Sequence, residues 1–267
     1  MAESMFSDDF HKRITKERPI IFNTEMVKAI LDGRKTQTRR VIKPNEVWGI
    51  EWFAGDIQCQ DLQSSYVELK YMESIGDDGK KVPAQWCVYS NECPEEGCIP
   101  LGQLYGAPGD RLWVRETYRP IYFQGGTTGD IIEYSYKASP QRFSDYDAKW
   151  KPSIHMPHSA SRITLEIKNI RTERLQDISE EDAIAEGVTP NCSLIAGAQA
   201  CVGCGDECEN KNEYIHYGRS GEDFPAQSAK ESFQSLWGSI SGEKSWKENP
   251  WVWVIEFKML EPAWPVL

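Results

Sequence analysis

Residues 18–40 read RPIIFNTEMVKAILDGRKTQTRR. Arg18–Phe22 has the character of a short strand. Asn23 and Thr24 offer a helix N-cap, with Glu25 in the first turn where the helix dipole favours an acid. Met26, Val27, Ile30 and Leu31 recur at helical spacing. Gly33 suits the left-handed residue that ends a helix. The basic segment Gly33–Arg40 therefore follows directly on a helix C-terminus. The carbonyl end of that helix favours cations, and Arg34, Lys35, Arg39 and Arg40 supply them. Val41–Pro44 reads as an outgoing strand.

Further along, Pro108-Gly109-Asp110 is a turn leading into Arg111–Glu116. There Leu112 and Val114 alternate with Trp113 and Arg115, the period of a strand. Ile131–Tyr136 and Arg162–Ile170 read as further strands. Ser179 opens a short acidic helix with Asp182 three residues on, close to a capping box, and Gly187 stops it. Ala229–Ile240 is an amphipathic helix with Phe233, Leu236, Trp237 and Ile240 on one side. Trp251–Phe257 (WVWVIEF) is a final strand. Residues 45–105 and 190–225 lack a clean period and read as insertions in a single domain over 18–260. Strands outnumber helices and no βαβ alternation occurs, so the expected fold is mostly β, an α+β chain built on a small barrel with short flanking helices.

The chain has 267 residues, 40% apolar and 27% charged, enough for a packed core. Thirty Lys and Arg against 41 Asp and Glu leave a net charge of −11. That argues against a surface that binds polyanions all over, because such affinity comes from Lys and Arg at phosphates. A local basic cleft remains compatible with it. No run approaches the roughly 18 apolar residues of a membrane span, and the first residues lack the apolar stretch of a signal peptide. A cytoplasmic protein without membrane partners is the expectation.

In so acidic a chain, four cations within residues 34–40 mark a local site. The plainer reading is a solvated basic face that caps a helix. Trp113 and Arg115 share one face of their strand, an aromatic beside a cation that suits stacking on a base and pairing with a phosphate. Glu116 and Arg162 are further candidates for that cleft. His155 and His158 stand in SIHMPHSASR at a spacing broken by Pro157, and so read as structural or substrate-lining residues rather than a metal pair.

The segments RPIIFNTEMVKAILDGRKTQTRR, PGDRLWVRETY, SIHMPHSASRITLEI, LQDISEEDAIAEGV and NPWVWVIEF resemble the ASCH domain. This is a PUA-like β-barrel superfamily associated with RNA, and the likeness is to its phage and prophage subgroup. Many members carry Glu at the sixth position of the basic motif, where this chain has Thr38. Thr at that position is similar to a bacterial branch that hydrolyses N4-acetylcytidine. In that branch the motif Lys and Thr act with a Glu from the later acidic helix. The resemblance implies catalytic roles for Lys35, Thr38 and Glu186, with Glu180 or Glu181 as alternatives to the last. It implies substrate contacts from Arg34, Arg39 and Arg40 and a nucleoside, RNA or modified nucleic acid as partner. An amidohydrolase of N4-acyl cytosine nucleosides is one outcome; a base- or RNA-binding module without turnover, or a ribonuclease, is the alternative. The chemistry needs no catalytic metal: a desolvated Lys can serve as base to a Thr hydroxyl, and cations can hold the oxyanion.

Eight cysteines divide equally between the two insertions. Cys192, Cys201, Cys204 and Cys208, in a Gly-rich setting, suit a tetrahedral structural Zn2+ that staples a segment too small for its own core. His216 is an alternative fourth ligand. Cys59, Cys87, Cys93 and Cys98 are more loosely spaced and give a second possible zinc site.

Overall fold

The structure, a computed structural model, describes residues 15–42, 67–75, 79–90, 98–102, 105–122, 131–139, 149–189, 214, 215, 217 and 226–260. Its main sheet contains β1 (Glu17–Ile21), β2 (Gln37–Val41), β6 (Arg111–Arg115), β9 (Thr164–Arg174) and β10 (Trp251–Met259), in the order β1-β6-β9-β10-β2. β1 runs parallel to β6, and the other neighbours are antiparallel. A three-stranded sheet holds β3 (Val67–Ile75), β4 (Lys81–Ser90) and β5 (Cys98–Gly102), and a hairpin joins β7 (Tyr118–Tyr122) to β8 (Ile131–Tyr136). The helices are α1 (Thr24–Leu31), α2 (Glu180–Ala185), α3 (Ala229–Ser241) and α4 (Glu243–Lys247). The class is therefore α+β with strands predominant. None of the helices is long and apolar enough to cross a membrane.

The cap signals form as the sequence implies. Asn23 accepts from the Met26 amide at 2.8 Å, and Ser179 from that of Asp182 at 3.1 Å. Gly33 takes a φ of +74° after α1. One boundary differs. The outgoing strand expected from Val41 starts earlier, at Gln37, so Gln37–Arg40 of the basic segment lie within it. Thr38 pairs with Ile255 of β10, Arg39 with Val254 and Arg40 with Trp253.

β10 explains its own unbroken apolar run, because both of its faces are covered. Trp253, Ile255 and Phe257 join a core with Phe22, Leu112, Val114, Leu165 and Ile167. Val252 and Val254 join a second one with Phe233, Leu236 and Trp237 of α3 and Ala183 of α2. By strand alternation Thr38 and Arg40 share the first side and Gln37, Arg39 and Val41 the second.

The expected barrel is not closed by backbone pairing among the described residues, since β1 and β2 are the two edges of the sheet. The edges do meet through a side chain. Arg40 Nη2 donates to the Ile21 carbonyl at 2.6 Å, and its guanidinium lies 5.3 Å from the Phe22 ring centroid. An arginine thus stands in the seam where a continuous ladder would lie.

Within the 45–105 segment the described residues form a regular sheet, β3–β5, that its sequence does not announce. Trp86 of β4 is buried in the main core, edge-on to Tyr71 at 5.4 Å and 6.4 Å from Trp253. Its indole N–H donates to the Gly106 carbonyl. The three-stranded sheet is thereby a wall of the core. Trp86→Ala should lower stability by about 3–5 kcal/mol, as for other buried tryptophans. Chemical denaturation would check this, and a loss below 1 kcal/mol would detach β3–β5 from the core.

Candidate functional site

The basic segment meets the acidic helix α2. Lys35 Nζ donates to Glu186 Oε2 at 2.6 Å and to the Glu186 carbonyl at 2.8 Å. The Lys35 side chain has no exposed surface and that of Glu186 almost none. Backbone bonds set this approach: the Lys35 amide donates to Ala29 and that of Thr36 to Ala185, each at 2.9 Å. Lys35 and Glu186 form an isolated antiparallel bridge. Gly187 makes the close packing feasible. A Cβ there would stand 2.8 Å from Lys35 Cβ and 2.9 Å from Ala29 Cβ, at a φ of +86°. Of the three glutamates that the sequence nominates, Glu186 is the one brought to Lys35. Glu180 instead accepts from the Ala229 amide at 2.8 Å, at the start of α3, and Glu181 is exposed.

Arg39 is the second hub. Its guanidinium donates to Glu186 Oε1 at 3.1 Å, Asp182 Oδ2 at 2.7 Å and Glu173 Oε1 at 2.6 Å. Arg171 joins Glu173, Asp182 and Glu256 to the same network. Glu173, Asp182, Arg171 and Glu256 carry no signal in the local sequence around the basic motif. They arrive because β9, α2 and β10 pack beside β2. Arg34 is held by Asp32 and by the Gly187 carbonyl, both at 3.0 Å. The expected basic cleft is therefore neutralised: Lys35, Arg39 and Arg171 face the carboxylates of Glu173, Asp182, Glu186 and Glu256. Arg40 alone of the four motif cations meets a carbonyl and a ring rather than a carboxylate, among the described residues.

Burial strips water from the Lys35 amine and holds its pKa below the usual 10.5. Glu186 pulls the other way, while the charges of Arg40 and Arg39 reinforce the depression. Partial burial also works against the Asp182 carboxylate, but Arg171 and Arg39 outweigh it and keep its pKa below 3.8.

A cavity of about 150 Å³ opens beside this network. Thr38, Arg39, Arg40 and Glu186 supply its polar lining, and Met26, Val41, Phe233, Leu236, Trp237 and Ile240 its apolar walls. Thr38 and Arg39 project to opposite sides of β2, and both contribute to the cavity lining. No hydrogen bond joins Thr38 to Lys35 or Glu186 among the described residues.

The other nominated residues gather elsewhere. Trp113 and Arg115 lie on the face of β6 opposite buried Leu112 and Val114, and neither lines the cavity. Arg115 bonds the Ile154 carbonyl and lies 5.4 Å from the Trp113 ring, whose edge meets exposed His158 at 5.0 Å. Buried Glu116 holds Arg162 in a two-pronged pair at 2.8 and 3.0 Å. Arg162 also reaches Ser139 Oγ at 2.6 Å and covers the Tyr136 ring at 4.1 Å. His155 is exposed on a short 3-10 turn. Cys59, Cys93, Cys192, Cys201, Cys204, Cys208 and His216 lie outside the described residues. Cys87 is buried on β4 opposite Pro100, and Cys98 on β5 is opposite Tyr89. Among the described residues no three His, Cys, Asp or Glu side chains are grouped to hold a metal.

Two outcomes follow from this geometry. Glu186→Gln leaves Lys35 and Arg39 short of a buried countercharge and should cost about 3–5 kcal/mol of stability; a melting temperature equal to that of the native chain would contradict it. Asp182→Asn tests the depressed carboxyl. A lowered folded pKa contributes stability above pH 3.8 that is lost as the pH falls through the folded value. The native chain should thus exceed the variant at neutral pH, with the gap closing in acid. A gap independent of pH would refute that linkage. No protein-family model, curated protein or solved structure matches the chain.

Proposed function

We propose that this chain hydrolyses an uncharged amide carried on a nucleobase, in the manner of an N4-acylcytidine amidohydrolase, within an ASCH-like fold. One observation carries the reading: Thr38 and Glu186 line one cavity, and Glu186 is bound at 2.6 Å to a fully buried Lys35. The sequence resemblance nominates the same three residues.

In this reading Thr38 supplies the hydroxyl that adds to the acyl carbon, and the Lys35–Glu186 pair manages the proton. Burial favours the neutral amine, the form of Lys35 that can act as a base. The pair then returns a proton to the departing exocyclic nitrogen, and water releases the acyl group from Thr38. Arg40, with no carboxylate against it among the described residues, is placed to hold the developing oxyanion; one such donor is worth about 2.7–4 kcal/mol in the transition state. Thr38 is not bonded to the pair, so the substrate, or a water carried with it, must bridge them. That gap also favours a second reading, recognition of a modified base without turnover. The neutralised network argues against phosphate tracking along RNA, because paired arginines have less charge to offer a phosphate.

The test is release of cytidine from N4-acetylcytidine by the purified chain. Thr38→Ala should reduce kcat by at least 10³-fold while KM moves little. Lys35→Ala should lose turnover together with the basic rise of the pH–rate profile. Full activity of Thr38→Ala would end the mechanism, and binding without any turnover by the native chain would leave the recognition reading in its place.

A further inference from the structure

β2 is an edge strand, and its hydrogen bonding to β10 leaves one side of its backbone open. The Phe257 amide donates to the Thr36 carbonyl at 2.8 Å, and the Ile42 amide to the Trp251 carbonyl at 2.9 Å. With Thr38 opposite Ile255 and Arg40 opposite Trp253, the even-numbered residues of β2 direct their N–H and C=O groups to β10. The odd-numbered residues direct theirs to the other side. At the start of the strand that side is occupied, where the Thr36 amide meets Ala185 and Lys35 bridges Glu186. Beyond it, the Arg39 and Val41 amides and carbonyls have no backbone partner among the described residues. Arg39 and Val41 both line the cavity, and Val41 is 46% exposed.

The Arg39 carbonyl and the Val41 amide are consecutive on this edge, an acceptor followed by a donor. We infer that this stretch of backbone is a reading edge for a planar, uncharged heterocycle that presents an N–H donor beside a ring acceptor. The 4-amino and N3 positions of a cytosine have that pattern: the exocyclic N–H donates to the Arg39 carbonyl, and N3 accepts from the Val41 amide. The walls fit such a ring. Phe233, Leu236, Trp237 and Ile240 are apolar, and of the nearby charges Arg39 and Glu186 are paired with each other while Arg40 is held by a carbonyl. A lone backbone donor and acceptor compete poorly for a phosphate but well for a neutral ring seated against apolar walls. This inference rests on the proposed cavity as the substrate site, and it assigns recognition to main-chain groups, of which only proline substitution removes the donor.

Val41→Pro deletes the donor while leaving the β10 ladder intact, since proline is tolerated on an edge strand where its N–H faces away from the sheet. Val41→Ala is the control for the side chain. Binding of cytidine, measured by calorimetry, should weaken about ten-fold or more in Val41→Pro relative to Val41→Ala, the loss expected for one buried hydrogen bond beyond the loss of the side chain. An unchanged affinity in a folded Val41→Pro variant would overturn the assignment. The native chain gives a second arm that does not depend on how the variant folds. The cytidine analogue with hydrogen in place of the 4-amino group should bind about ten-fold more weakly than cytidine; equal binding would overturn the inference. Failure of the hydrolase reading is separable. Cytidine binding that depends on the Val41 amide, with no release from N4-acetylcytidine, supports this edge and removes turnover. Turnover with a KM unaffected in Val41→Pro does the reverse.

Discussion

The contact between Lys35 and Glu186 organises the molecule around it. An ammonium and a carboxylate, both removed from water, are tolerable only when each meets the other at hydrogen-bonding distance and the remaining polar atoms are also satisfied. The structure meets those terms with the Glu186 carbonyl, with Arg39 on the second carboxylate oxygen, and with a glycine at 187 where any side chain would collide with Lys35. Three elements are tied there: the end of α1, the start of β2 and the C-terminus of α2. The cavity beside them inherits its shape from that junction.

The same junction sets the electrostatics. Segment 34–40 would be a strong anion site if its cations were solvated. Instead α2 and β9 deliver carboxylates to it, and Arg171 extends the alternation of charge to Glu256 on β10. In a low-dielectric setting such alternation cancels the long-range field and leaves directional hydrogen bonds. The seam between β1 and β2, crossed by Arg40, is the place where a sheet that is almost a barrel stays open. An edge that lacks its neighbour and a cavity with balanced charge occur at the same point of the fold.

Much of this was legible from residue types. The caps at Asn23 and Ser179, the glycine at 33, the alternation in Arg111–Arg115 and the doubly buried WVWVIEF strand obey local rules, and they formed where those rules place them. The pairing of Lys35 with the helix ending at Glu186 was suggested by family resemblance rather than by any local rule. Other features were hidden because they depend on partners far away in the chain. Glu173 and Glu256 look like ordinary strand carboxylates until the sheet order sets β9 and β10 beside β2. Trp113 and Arg115 have the composition of a base-binding pair, and the parity of β6 sets them on the face left uncovered once Leu112 and Val114 take the core, apart from the cavity lining. Residues 67–102 carry no clear period, and Trp86, with Tyr71 beside it, packs that sheet against the core.

The central claim is that the basic segment is internally neutralised and serves an uncharged ligand. Its most direct test is the salt dependence of oligonucleotide binding, titrated from about 50 to 200 mM salt, where each phosphate contact adds a slope of about −0.7 for single strands. Weak binding with a slope near zero is expected of the native chain. Tight binding whose logarithm falls steeply with the logarithm of salt, and which flattens in Arg39→Ala, would show that these cations are free for phosphate and would contradict it.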